Sequence, residues 1–190
     1  MHKLFKTLSR DVEIFFEEYF IVPFLIAIIL SLIVYLILHI HKKRKTIGQL
    51  ITVPLTAFYF SELFYTTLLY RIGTKTDALA NVFGEWSIYD GETSMYINPK
   101  PILNVILFLP ICIAVFSFIK QVCNKTYSDK RILIYTALFS FSASLIIELI
   151  QLIFSIGTFQ ISDLVYNTVG GIIGAVIYIG LNKILIKAQK

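Results

Sequence analysis

From Tyr19 to Ile40 the chain carries no Asp, Glu, Lys or Arg, and the run closes on His-Lys-Lys-Arg-Lys over 41–45. About 20 helical residues cross a hydrocarbon core, so this run predicts a first transmembrane helix. A basic cluster stands where a signal peptide would show a small-residue cleavage site, which predicts that the segment is retained. Four further apolar stretches follow: Ile47 to Tyr70, Pro101 to Ile119, Ile132 to Phe154, and Asp163 to the basic end at Lys183, Lys187 and Lys190. Pro110, inside the third, removes a backbone donor and is expected to kink that helix. Ahead of the first span, residues 1–18 mix both charge signs with Leu4, Phe5, Leu8, Val12, Phe15 and Phe16 near helical spacing. They fit either an amphipathic surface helix or a solvated leader. The expected architecture is all-α: a polytopic membrane helix bundle of about five transmembrane helices, a single membrane domain over 1–190.

Composition agrees with the pattern, since 57% of residues are hydrophobic and only 15% charged, with a mean hydropathy of +0.77. Ordinary soluble domains are more polar. The net charge of +5 sits in short loops and makes no basic face with interleaved aromatics, so no nucleic-acid partner is expected. Cys112 and Cys123 cannot build a disulfide framework. His39 and His41, two apart, point different ways on a helix and serve better as interfacial anchors than as a metal pair. No CxxC, HExxH, GxSxG or phosphate-loop motif is present, and no metal or cofactor is expected.

Polar residues inside the spans change the picture. Glu62 shares a stripe of the second span with Thr52, Thr56, Tyr59 and Thr66, and Arg71 closes that segment. Asn104 enters the third span. Ser140, Ser144, Glu148, Gln151 and Ser155 form a polar stripe on the fourth. In the fifth, Asp163, Asn167, Gly170 and Gly174 follow at spacings of four, three and four, on one helical face. Gly170, Gly171 and Gly174 let a second backbone approach closely. An ionisable group within a span is costly unless paired or wetted, so these residues are expected to face the bundle interior.

The positive-inside rule orders the loops. Lys42, Lys43, Arg44 and Lys45 follow the first span, and Lys120, Lys125, Lys130 and Arg131 follow the third. The long loop after the second sets Arg71, Lys75 and Lys100 against Asp77, Glu85, Asp90 and Glu92. The two basic loops and the C-terminus are therefore expected in the cytoplasm, with the long loop, the Gly157 turn and the N-terminus outside. That orientation brings Glu62, Arg71, Asn104, Glu148, Gln151, Asp163 and Asn167 to one depth, as an expected polar chamber opening to the outer leaflet.

At these residues the sequence resembles the VanZ-like family of integral membrane proteins, associated with resistance to the glycopeptide teicoplanin. The resemblance covers about Ile47 to Ile179. Asn104 to Pro110 looks like the family's Asn-x-x-x-Phe-x-Pro tract, Glu148 and Gln151 look like its Glu-x-x-Gln pair, and Asp163, Asn167 and Gly170 look like its Asp-x-x-x-Asn-x-x-Gly signature. The chain departs from the pattern twice. Gly157 and Thr158 stand where the family often has an arginine before the signature acid, and Ile111 and Cys112 stand where it often has glycine. Arg71 is a candidate replacement for the arginine. The resemblance implies a multi-pass protein of the cell membrane, linked to glycopeptide or cell-envelope stress, and no defined reaction.

Three functions are carried forward. The first is a non-enzymatic factor whose outward chamber binds an amphiphile: a lipid headgroup, a lipid-linked wall precursor or a lipoglycopeptide. The second is an intramembrane enzyme using Glu148 and Asp163 as acid and base. The third is an accessory subunit docking another membrane protein through Gly170 and Gly174, although internal packing is the preferred reading of that face. The expectation adopted is the first.

Overall fold

The computed structural model describes residues 20–41, 46–84, 86 and 99–188; the stretch over 1–18 lies outside them, as do Glu85, Asp90, Glu92 and Lys190. The described elements are helical, with no strand among them. The chain divides into two compact units, Met1–Tyr70 and Arg71–Lys190.

The first unit is a helical hairpin of α1 (Ile21–Ile40) and α2 (Ile47–Thr67). Pro23, Ala27 and Ser31 are buried at four-residue spacing on α1, and Gln49, Val53, Ala57 and Ser61 match them on α2. These buried positions, small at Ala27, Ser31, Ala57 and Ser61, form the seam. Ser31 returns its hydroxyl to the Ala27 carbonyl at 2.7 Å, so the buried donor is satisfied within its own helix. The sharp start of α2 comes from a capping box: the Gln49 N–H donates to Thr46 Oγ1 and the Thr46 N–H donates to Gln49 Oε1, both at 3.2 Å. A short 3-10 turn, Leu69–Arg71, follows.

The second unit holds α3 (Lys100–Phe108), α4 (Ile111–Val122), α5 (Asp129–Phe154) and α6 (Ile161–Ala188). The third apolar stretch is two helices because Pro110 has no N–H to continue the ladder. Leu109 N–H reaches both Val105 O at 3.0 Å and Ile106 O at 3.3 Å, and the chain restarts at Ile111. Phe108 and Ile111, on either side of the break, are fully buried.

The central element is α6, which packs against α3, α4 and α5. A Cβ built on Gly170 would meet the Val105 carbonyl, and one on Gly174 would meet the Leu109 carbonyl. Contacts that advance together by four residues show that α3 runs parallel to α6 with backbone against backbone. On the other side, Gly171 faces Ser140 and Asn167 faces Ser144, so α5 runs antiparallel.

Among the described residues, five helical stretches are long and apolar enough to cross a bilayer: Ile21–Ile40, Ile47–Arg71, Lys100–Val122 (the two helices α3 and α4), Asp129–Phe154 and Ile161–Lys187. At about 1.5 Å per residue each matches a core of about 30 Å. The side chains they leave exposed are those that lipid would cover, such as Leu32, Leu36, Leu138, Ile153 and Val176. The protein is an all-α, multi-pass membrane protein.

Candidate functional site

The polar stripe of α5 is an internal seam. Thr136, Ser140, Ser144, Glu148 and Gln151 are all buried, and α6 supplies their surroundings. Next to Ser140 the chain has Gly171, with no Cβ to collide with the hydroxyl. One turn further along, Asn167 Nδ2 donates to Ser144 Oγ at 2.8 Å. At the end of the seam the backbone N–H of Gln160 donates to Glu148 Oε2 at 2.9 Å. The Glu148 side chain, 3% exposed, is thereby held by the segment that leads into α6. Ser140 Oγ and Asn167 Oδ1 have no hydrogen-bond partner among the described residues.

The seam ends beneath a folded loop. Helix α5 stops at Ser155, which takes the left-handed conformation with φ 52°, and Ile156 N–H closes the turn on Gln151 O at 3.1 Å. The connection then lies along residues 76–84. Thr76 N–H donates to Ser155 O, Phe159 N–H to Ala78 O and Ile161 N–H to Val82 O, at 2.9–3.1 Å. Gly84, with φ +80°, passes so close to Ser162 that a Cβ there would collide with its side chain. Tyr166 OH donates to the Trp86 carbonyl at 3.0 Å, and the two rings stand 6.0 Å apart.

At this end Arg71 reaches the turn after α5. A Cβ placed on Gly157 would lie 2.9 Å from Arg71 Nη1 and 2.8 Å from Gln151 Oε1. Guanidinium and amide thus both lie against a residue that has no side chain to obstruct them. Both Asp163 and Arg71 lie within electrostatic range of Glu148. Asp163 is half-buried in the first turn of α6, where a helix favours negative charge, and Ser162 Oγ stands 3.5 Å from its Oδ1.

Of the residues singled out from the sequence, Arg71, Glu148, Gln151 and Asp163 gather at this loop-capped end. Asn167 lies deeper, tied to Ser144. Asn104 is half-buried on α3, one residue before the carbonyl that faces Gly170. Glu62 is half-buried on α2, in the first unit, and its carbonyl accepts from Thr66 Oγ1 at 2.8 Å. Pro110 occupies the break between α3 and α4. Among the described residues no group of three or more His, Cys, Asp or Glu is arranged to hold a metal.

Three participants escaped the sequence reading. Gln160 contributes only its backbone N–H, which no side-chain pattern reveals. Ser162 and Gly84 matter through their closeness, which comes from a loop folding back. Gly157 did carry a signal, as the residue standing where an arginine was expected.

The family model described as VanZ/LLP1 matches residues 85–185. No curated protein and no solved structure matches the chain. The matched region takes in α3 to α6 almost entirely and with them Asn104, Glu148, Gln151, Asp163, Asn167 and the three packing glycines, while Glu62 and Arg71 precede it. Since more than half of the 190 residues are matched, the chain belongs to the VanZ/LLP1 family.

Proposed function

We propose that the loop-capped end faces the outside of the cell and binds the polar head of an amphiphile, a lipid-linked wall precursor or a lipoglycopeptide of the teicoplanin type. In this reading the protein is a non-enzymatic factor of envelope maintenance or glycopeptide resistance. The observation that carries it is the approach of both Arg71 and Gln151 to Gly157, with Arg71 and Asp163 each within electrostatic range of Glu148. A guanidinium recognises phosphate or carboxylate by paired donors, and Asp163, at the same end of the helices, suits an ammonium or hydroxyl group of the same ligand. Arg71 comes from outside the matched region and supplies, at Gly157, the cation that the family resemblance leads one to expect there. The orientation rests on the charge of the loops: Lys120, Lys125, Lys130 and Arg131 lie at the opposite end of the helices.

The test is susceptibility to teicoplanin and vancomycin in cells lacking the protein, carrying it, or carrying Asp163→Asn or Arg71→Gln at matched membrane levels. Protection against teicoplanin that both substitutions remove is expected. Equal susceptibility of all strains would refute the resistance role. Conversion of a labelled lipid-linked precursor by the purified protein would replace the binding role with an enzymatic one.

A further inference from the structure

The opposite end of the second unit carries a second polar feature, independent of Arg71 and Asp163. A cavity of about 170 Å³ lies where the end of α4, the loop after it, the start of α5 and the end of α6 come together, and Lys120, Lys125 and Lys183 line it. Its one carboxylate is Asp129, so three ammonium groups face a single negative charge. The loop is folded to bring Lys125 in: Asn124 adopts the left-handed conformation with φ 53°, and Cys123 and Lys125 both direct their N–H groups at Ile119 O. Ser128 makes no side-chain cap on α5, so that helix start adds its partial positive charge to the same corner.

A second, apolar cavity lies beside it. Phe116 and Tyr127, which stand edge to face at 5.8 Å, line it on one side and on the other line a second cavity of about 290 Å³ between α4 and α5. That groove is walled by residues such as Cys112, Val115, Ile119 and Phe139. Tyr135 and Phe139, at its edge, are exposed, so it opens sideways toward lipid. A basic pocket beside an apolar groove suits an amphiphile with a negative head.

We infer that this end binds an anionic phospholipid, its phosphate on Lys120, Lys125 and Lys183 and one acyl chain in the groove between α4 and α5. Charge complementarity selects a negative head over a zwitterionic one, and the groove selects a lipid over a soluble phosphate. The ion pair between Lys183 and Asp129 at 2.8 Å is no obstacle, because both side chains are more than half exposed and such a pair is easily exchanged for another anion. In the orientation proposed above this end meets the cytoplasmic leaflet, where anionic headgroups are found and basic pockets between helices hold them.

The experiment is native mass spectrometry of the purified full chain with phosphatidylglycerol and phosphatidylcholine of identical acyl chains, and with glycerol phosphate as the soluble probe. Phosphatidylglycerol is expected to bind in preference, and Lys120→Gln and Lys125→Gln each to weaken it about fivefold. Asp129→Asn is expected to strengthen it, an opposite sign that loss of folding cannot imitate. Val115→Trp, which fills the groove, is expected to weaken the lipid alone, and Lys187→Gln, outside the cavity, to change nothing. Equal binding of the two lipids, indifference to the lysine substitutions, or weaker binding by Asp129→Asn would overturn the inference. Glycerol phosphate binding as tightly as the lipid would overturn it in favour of a soluble anion. None of these variants touches the loop-capped end, so this result and the teicoplanin result fail separately.

Discussion

Gly174→Ala adds one methyl group where α6 touches the break in the third span. The added carbon would lie 3.0 Å from the Leu109 carbonyl carbon and closer still to its oxygen. A relaxed carbon to carbonyl-oxygen contact is about 3.3–3.6 Å. The obstacle is backbone, which cannot rotate aside as a side-chain tip can, so the helices must separate or the Pro110 break must shift. Overpacking of this kind costs about 1–3 kcal/mol, while exchanging Gly for Ala inside a helix returns about 1 kcal/mol through propensity. Gly180→Ala, on the same helix with nothing within 4 Å of the new carbon, isolates the second effect. Gly180→Ala is therefore expected to be neutral or stabilising. Gly174→Ala is expected to fall below it by about 1–3 kcal/mol, the collision alone. Reversible unfolding in mixed micelles, followed by circular dichroism, measures both. A gap smaller than about 0.5 kcal/mol, the ordinary spread of surface substitutions, would refute the close approach of α6 to Leu109.

Gly157→Ala would set its methyl group within 3 Å of the tips of Arg71 and Gln151, which can shift, so its cost should not exceed the roughly 1–3 kcal/mol of overpacking. If the proposed resistance role holds, teicoplanin protection should fall as is expected for Asp163→Asn, as read by inhibitory concentration at matched membrane levels. A double-mutant cycle of Ser144→Ala and Asn167→Ala should give a coupling of about 0.6–1.7 kcal/mol in the same unfolding assay, the range for hydrogen bonds between membrane helices. Gly84→Ala forces a side chain into positive φ against Ser162, at a cost of about 1–3 kcal/mol. The amides of Phe159 and Ile161, which the 76–84 loop protects, should exchange faster with deuterium by a matching factor, and unchanged exchange would contradict the loop contact.

The spans were legible because each solves a local problem: a bilayer needs an apolar helix of fixed length, and length and hydropathy are written in consecutive residues. The break at Pro110 was legible for the same reason, since proline lacks its donor wherever it stands. The buried stripe from Ser140 to Gln151 could be read because helical periodicity places those positions on one face. Its partners could not. Whether Asn167 bonds to Ser144, or Glu148 accepts from the backbone of Gln160, depends on the register of α5 against α6, and registers differing by one turn have equally good periodicity.

Arg71 marks the same boundary. Its charge and its place at the end of the second span are in the sequence, and so is the bare Gly157 far along the chain. That the guanidinium reaches that glycine was decided only by tertiary structure, because the loop over 76–84, a few residues after Arg71, binds the turn after α5. Sequence alone determined how many helices cross, which faces are polar and which family the residues resemble. Folding decided which polar groups share a site, since proximity between distant residues is set by packing and loop closure, not by the order of the chain.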